Sequence, residues 1–313
     1  MRYLFKKAII FIITLLIISV LTFTAFQVIP GNSALTALGM EATDEAIETL
    51  KEELGFNKNV FIRYFDWLKK VTKGDFGDSI QYHSKATDLI KDRVVVTLWL
   101  AIISFILILI IALPLGVLSA LKKNSIVDKA ILVMTQISMA IPPFFLGILL
   151  TILFGFVIKI FIPGNYISYK EDIAGFLYYL IFPAMAVAIP KISMLVKFLR
   201  NSIIRELKLD YVRTARSKGN DERTIMYKHV LKNAFIPIIT LLGMMLADIM
   251  AGTILIEQVF SLPGLGRLLL VSISNRDFAV VQAIILYMAL IVVLINFIVD
   301  ILYQFLDPRV TKI

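Results

Sequence analysis

The 313-residue chain has no cysteine and only two histidines, His83 and His229. The missing thiols exclude disulfides, thiolate metal sites and a cysteine nucleophile, and two isolated histidines make no metal centre. Charge is scarce as well: 18% of residues are charged, where a soluble chain carries roughly 25%. There is no G-x-x-x-x-G-K-[ST] loop, whose backbone amides would cradle nucleotide phosphates, so the chain has no ATP site of that kind. What it has instead is apolar surface, 59% of residues and a mean hydropathy of +0.86. That surface must face something other than water, and a lipid bilayer is the solvent that suits it.

A helix crosses the hydrocarbon layer in about 20 apolar residues. Six runs qualify: 8–28, 94–121, 130–158, 173–190 (continuing past Lys191 and Lys197 towards 199), 233–256 and 278–299. The first follows Arg2, Lys6 and Lys7. It is longer than the apolar core of about 7–15 residues of a secretory signal and no A-x-A site follows it, so it is read as a retained helix. Six crossings put both termini on one side. The amino end, 122–129, 200–232 and 307–313 together carry +11, whereas 29–93, 159–172 and 257–277 carry −2, 0 and 0. The positive-inside tendency makes the first set cytoplasmic. The expectation is an all-α polytopic membrane protein with both termini in the cytoplasm. Residues 1–93 would hold the first helix and an external cap, and 94–313 a five-helix core.

Within the external segment, Thr43, Asp44 and Glu45 precede Ile47, Leu50 and Leu54, and Gly55 follows, which predicts a short capped helix. A second helix is predicted over 60–71, with Phe61, Tyr64, Phe65 and Leu68 on one side. The pair suits either a folded cap or a docking surface for an external partner.

Residues 200–232 contain nine basic and four acidic side chains. Asp210 is placed to cap a helix through Lys218, Gly219 to end it in the left-handed region, and Asp221 with Glu222 to start another. The second helix carries Ile225, Met226, Val230 and Leu231 at helical spacing and runs into the fifth span. A basic juxtamembrane segment pairs readily with anionic lipid. Short capped helices with apolar residues around a glycine turn suit a protein groove instead. Nucleic acid is a poor partner, since aromatic residues are sparse among the basic ones and the segment is fixed at the membrane.

The run Tyr211-Val212-Arg213-Thr214-Ala215-Arg216-Ser217-Lys218-Gly219, followed by His229, Asn233 and Pro237, resembles the loop of permease subunits of ABC importers in the oligopeptide, dipeptide and nickel class. The resemblance extends to Gly74-Asp75-Phe76-Gly77-Asp78-Ser79, to Ile141-Pro142-Pro143-Phe144-Phe145-Leu146-Gly147, to Glu257 through Gly266, to Asn275-Arg276-Asp277 and to the Asp300–Arg309 end. It covers nearly the whole chain and looks like the first of the two permeases that such systems encode. One departure concerns the importers' Glu-Ala-Ala-x-x-x-Gly pattern: Arg213, Thr214 and Ala215 stand where the acidic residue and two alanines would be, so the acidic residue is replaced.

The resemblance implies a type I importer permease fold in a prokaryotic cell membrane, paired with a second, homologous permease as a heterodimer. Two cytoplasmic subunits would bind ATP and Mg, and an external protein would deliver the solute. Residues 211–225 would be the coupling helix, with Tyr211 to Arg216, Lys218, Gly219 and Asn220 meeting the ATPase and His229, Asn233 and Pro237 supporting the junction with the span. The chain itself would be no enzyme and hold no cofactor. Peptides are the expected solute, with nickel or a metal chelate as the alternative. Asp248, alone well inside a span, lines the path or pairs with a residue of the partner permease; Pro142, Pro143 and Phe144 are further path candidates. Pro263, Gly264, Leu265 and Gly266 predict a tight external turn. A membrane-embedded enzyme would need a constellation such as a serine beside a histidine, and no span contains histidine. An ion-coupled secondary transporter would need midplane coupling groups, for which Asp248 alone is thin support.

Overall fold

The computed structural model describes residues 2–28 and 59–306. The helix predicted after Thr43 and the tail from 307 lie outside the described residues. Ten helices follow one another among those described: α1 (Arg2–Val28), α2 (Val60–Val71), α3 (Ala86–Leu121), α4 (Ile126–Ala140), α5 (Pro143–Thr151), α6 (Ile173–Glu206), α7 (Asp210–Ser217), α8 (Glu222–Val259), α9 (Leu265–Ser274) and α10 (Phe278–Leu306). The only bridge pairing among the described residues joins Asp78 to Lys85. The all-α expectation holds.

Five helices are long and apolar enough to cross a membrane: α1, α3, α6, α8 and α10. The third predicted span, 130–158, is not one straight helix. Its place is taken by α4 and by a second helical piece, Pro143–Val157, bent by 101° from it. The cause lies in Ile141-Pro142-Pro143. A residue before proline is pushed out of the α region, and both Ile141 (ψ 124°) and Pro142 (ψ 139°) are extended. Pro143 then opens α5 at a position where a missing N–H costs nothing. Counted as one crossing, the bent pair completes six.

The chain divides into two compact units, residues 1–97 with 263–294 and residues 98–262 with 295–313. In the first, Asn59 caps α2 by accepting from the Phe61 N–H. Tyr64 and Trp67 pack on Phe23 of α1, each with ring centroids 5.4 Å away, and the Ser19 and Tyr64 hydroxyls lie 2.8 Å apart. The predicted apolar side of this helix splits: Tyr64 faces α1, whereas Phe61 and Phe65 are exposed. The contact with α1 selects the side carrying Tyr64 and Trp67, one helical step from the side carrying Phe61 and Phe65.

The same unit brings together two segments that are far apart in sequence. Gly74 and Gly77 adopt positive φ, the Asp75 carboxylate accepts from the Gly77 N–H at 3.0 Å, and the Ser79 hydroxyl donates to the buried Asp277 carboxylate. Nearby, Asn275 donates to Gln81. The Gly74–Ser79 and Asn275–Asp277 motifs therefore form one polar lock.

In the second unit α6 is the central helix, packing on α4, α5 and α8. Leu180, Leu195, Leu199 and Ile203 of α6 are fully buried, as are Ile238 and Ile249 of α8. Gly243 of α8 lies so close to Val299 of α10 that any Cβ there would collide with the valine side chain.

Candidate coupling site

The site is built on a helix that outlasts its membrane crossing. With 38 residues α8 is about 57 Å long, and its first turns stand clear of the apolar stretch. Asp221 caps it, its carboxylate accepting from the Thr224 N–H at 3.3 Å. Hydrogen bonding to the Thr224 side chain first, and then to its N–H, holds the Asp221 carboxyl below its ordinary pKa range. Residues Ile225–Val230 run as a π-helical stretch, whose i→i+5 bonding stacks Ile225 with Val230. Ile225, Met226 and Val230 are buried together.

Against this stretch lies α7, whose buried residues are Val212 and Ala215, one turn apart. Asp210 does not cap α7 as predicted. Leu209 occupies the cap position without a side-chain bond, and Asp210 sits in the first turn, where its charge suits the helix dipole. Gly219 does supply the left-handed residue, with φ +82°, and a side chain there would meet only open space. Backbone requirement alone thus selects glycine. Asn220 closes the turn by donating its side-chain amide to the Ala215 carbonyl at 3.0 Å. Across the turn, Arg216 forks onto Glu222 at 2.6 and 3.1 Å, both side chains largely exposed.

The near end of α7 is tied to both long helices. The Tyr211 hydroxyl donates to Glu206 of α6 at 2.9 Å and bonds the Asn233 side chain of α8. Burial pushes the Tyr211 phenol above its ordinary pKa, and Glu206 adds to that while Asn233 opposes it. Ser202 of α6 donates to the Ala234 carbonyl of α8 at 3.1 Å. The structure thus brings Tyr211, Val212, Ala215, Gly219, Asn220 and Asn233 into one element. Arg213, Thr214, Arg216 and Lys218 form its exposed face. His229 is half-buried in the π stretch, and Pro237 lies within α8.

A second tie escaped the sequence reading. Arg200 of α6 holds Asp128 of α4 through Nε and Nη2, each at 2.7 Å, and Asp128 also accepts from the Ser119 hydroxyl at 2.6 Å and the Asn124 N–H at 2.8 Å. Asp128 is buried. The signal was present in Ser125-Ile126-Val127-Asp128, a serine cap followed three residues later by an acid.

The remaining predicted residues lie elsewhere. Asp248 pairs within the chain, with Lys191 of α6. Pro142 and Pro143 make the bend, and Phe144 beside them is 43% exposed. Pro263 and Gly264 lead into α9, so Leu265 and Gly266, predicted as turn, are helical. The Leu265 N–H donates to the Thr97 hydroxyl at 2.9 Å, which replaces a side-chain cap. Among the described residues no group of three or more His, Cys, Asp or Glu side chains is placed to hold a metal.

A multi-pass α-helical chain with a bent proline span, and with a basic helix-glycine-helix element continuous with a crossing, defines a membrane protein of the permease class. The chain belongs to the family of binding-protein-dependent transport system inner membrane components, which matches residues 112–312, and the amino-terminal domain of such membrane components matches residues 1–101. It is 34% identical to the oligopeptide transport system permease protein of Bacillus subtilis, over 98% of both chains. It is 33% identical to a putative peptide transport system permease protein of Brucella abortus, over 95% of this chain and 94% of the other. It is also 31% identical to the dipeptide transport system permease protein of Alkalihalophilus pseudofirmus, over 99% of each. This is a multi-pass membrane permease component of the ABC transporter class.

Proposed function

We propose that the chain is one of two homologous permeases of an ATP-driven importer, forming half of the path for peptides delivered by an external binding protein. The names of its relatives support the peptide class. Both termini face the cytoplasm, with 1–93 as first helix and external cap and 94–313 as the core. Residues 211–225 seat in a cleft of a cytoplasmic ATPase that supplies ATP and Mg chemistry, and Arg213, Thr214, Arg216, Lys218, Gly219 and Asn220 are presented to it. Pro263 to Gly266 lie on the external side, towards the binding protein.

The observation that carries this reading is the continuity of α8: a helix that begins just past the Gly219 turn, packs against α7 in its first turns and runs on across the membrane carries a push on α7 into the span. The test is transport by the reconstituted complex. Arg216→Glu is expected to leave the permease at normal abundance and stability, with peptide uptake reduced at least tenfold per ATP hydrolysed. Uptake and hydrolysis at wild-type ratio would sink the coupling assignment.

A further inference from the structure

The unit formed by residues 98–262 and 295–313 leaves one face of α8 uncovered, with a carboxylate on it and a largely buried ammonium, Lys191, 15% exposed, beside it. Along α8, Met244, Asp248 and Gly252 recur every four residues and share one side. Met244 is 64% exposed, the Asp248 side chain is 70% exposed, and a Cβ at Gly252 would meet nothing within 4 Å. From α6, Lys191 reaches this face and bonds Asp248. Six residues further on, Lys197 bonds the side-chain carbonyl of Gln136 on α4. Two separate polar pairs thus tie α6 to its neighbours, one ammonium to a carboxylate of α8 and one to a carboxamide of α4, on membrane-crossing helices.

Such a face is costly against hydrocarbon, which offers charged groups no partners. It is also not this unit's interior, where Leu195, Leu199, Ile249 and Met250 are buried. A water-filled path is the surrounding that fits.

Resting on the reading that this chain forms half of a peptide path, we propose that Lys191 and Asp248 receive the two ends of a free peptide in transit. Asp248 takes the amino-terminal ammonium and Lys191 the carboxy-terminal carboxylate. At rest each charge neutralises the other, which makes the pair tolerable at that depth. A zwitterionic peptide replaces it ion for ion, so no charge is stranded as the pair opens. A peptide blocked at one end supplies one partner and strands the other, and the site selects against it.

The experiment uses the complete importer in proteoliposomes, with its ATPases and binding protein, and compares uptake of one tripeptide with free termini, N-acetylated or C-amidated. Asp248→Asn is expected to lose about tenfold of the preference over the acetylated form while keeping the preference over the amide. Lys191→Gln is expected to do the reverse. The double variant, which strands no charge and so serves if either single variant accumulates poorly, loses both preferences. The binding protein is common to all, so any difference belongs to the permease. If the variants reduce uptake of all three peptides by one factor, or retain both preferences, the pair is structural and the proposal falls. Failure of the wild-type complex to import the free peptide would instead overturn the peptide-permease reading.

Discussion

Two arginine–carboxylate pairs in residues 98–262 have nearly the same fork geometry and opposite surroundings. Arg200 and Asp128 are 12% and 1% exposed, whereas Arg216 and Glu222 are 52% and 69% exposed. Asp128 has two further donors, Ser119 and Asn124, so its carboxylate is fully bonded out of water. Removing one member of such a pair leaves an uncompensated buried charge. The Arg216 fork sits in water, where ion pairs contribute little to stability and can be exchanged for another partner. One pair fixes the α4–α6 corner; the other bridges the exposed Gly219 turn between α7 and α8.

Asp128→Ala is the largest expected break in that contrast, a loss of about 3–5 kcal/mol read from thermal unfolding in detergent. Replacing Arg200 as well, as Asp128→Leu with Arg200→Met, should recover most of it, which would show that the stranded charge is the cost. Gly219→Pro comes next. Its ring fixes φ near −65° where +82° is needed, so the turn cannot close, and the expected result is loss of coupled transport with the helices still in the membrane. Gly219→Ala should be milder, at about 1 kcal/mol. The Asp221 cap should give the smallest effect. Its folded pKa is lowered, so its contribution is complete above the ordinary carboxylate range and is lost as pH falls through the folded value. A fall in the amide-exchange protection factor at Thr224 on acidification, absent in Asp221→Asn, is the measurement that checks it.

The crossings were legible because apolar runs of about 20 residues have few alternatives, and α2 was legible because Phe61, Tyr64, Phe65 and Leu68 recur at helical spacing. Gly219 was legible because its role is local. The size of the bend at 141–143 was not, since hydropathy counts composition and is blind to direction. Nor were the partners of Asp248 and Asp128, which lie 57 and 72 residues away on another helix. The helix α9 hid in a loop rich in glycine and proline because its start is secured by Thr97, a residue 168 positions earlier. In each case the missing information was tertiary.

The two prolines at the bend also set a condition on their surroundings. Neither Pro142 nor Pro143 brings an N–H, so the carbonyls of Ser138 and Met139 cannot be answered from four residues on. In pure hydrocarbon such carbonyls would be left thirsty at a cost of several kcal/mol each. That corner of the bilayer must therefore be damp or shielded by protein, and a chain that bends there advertises the depth at which lipid gives way.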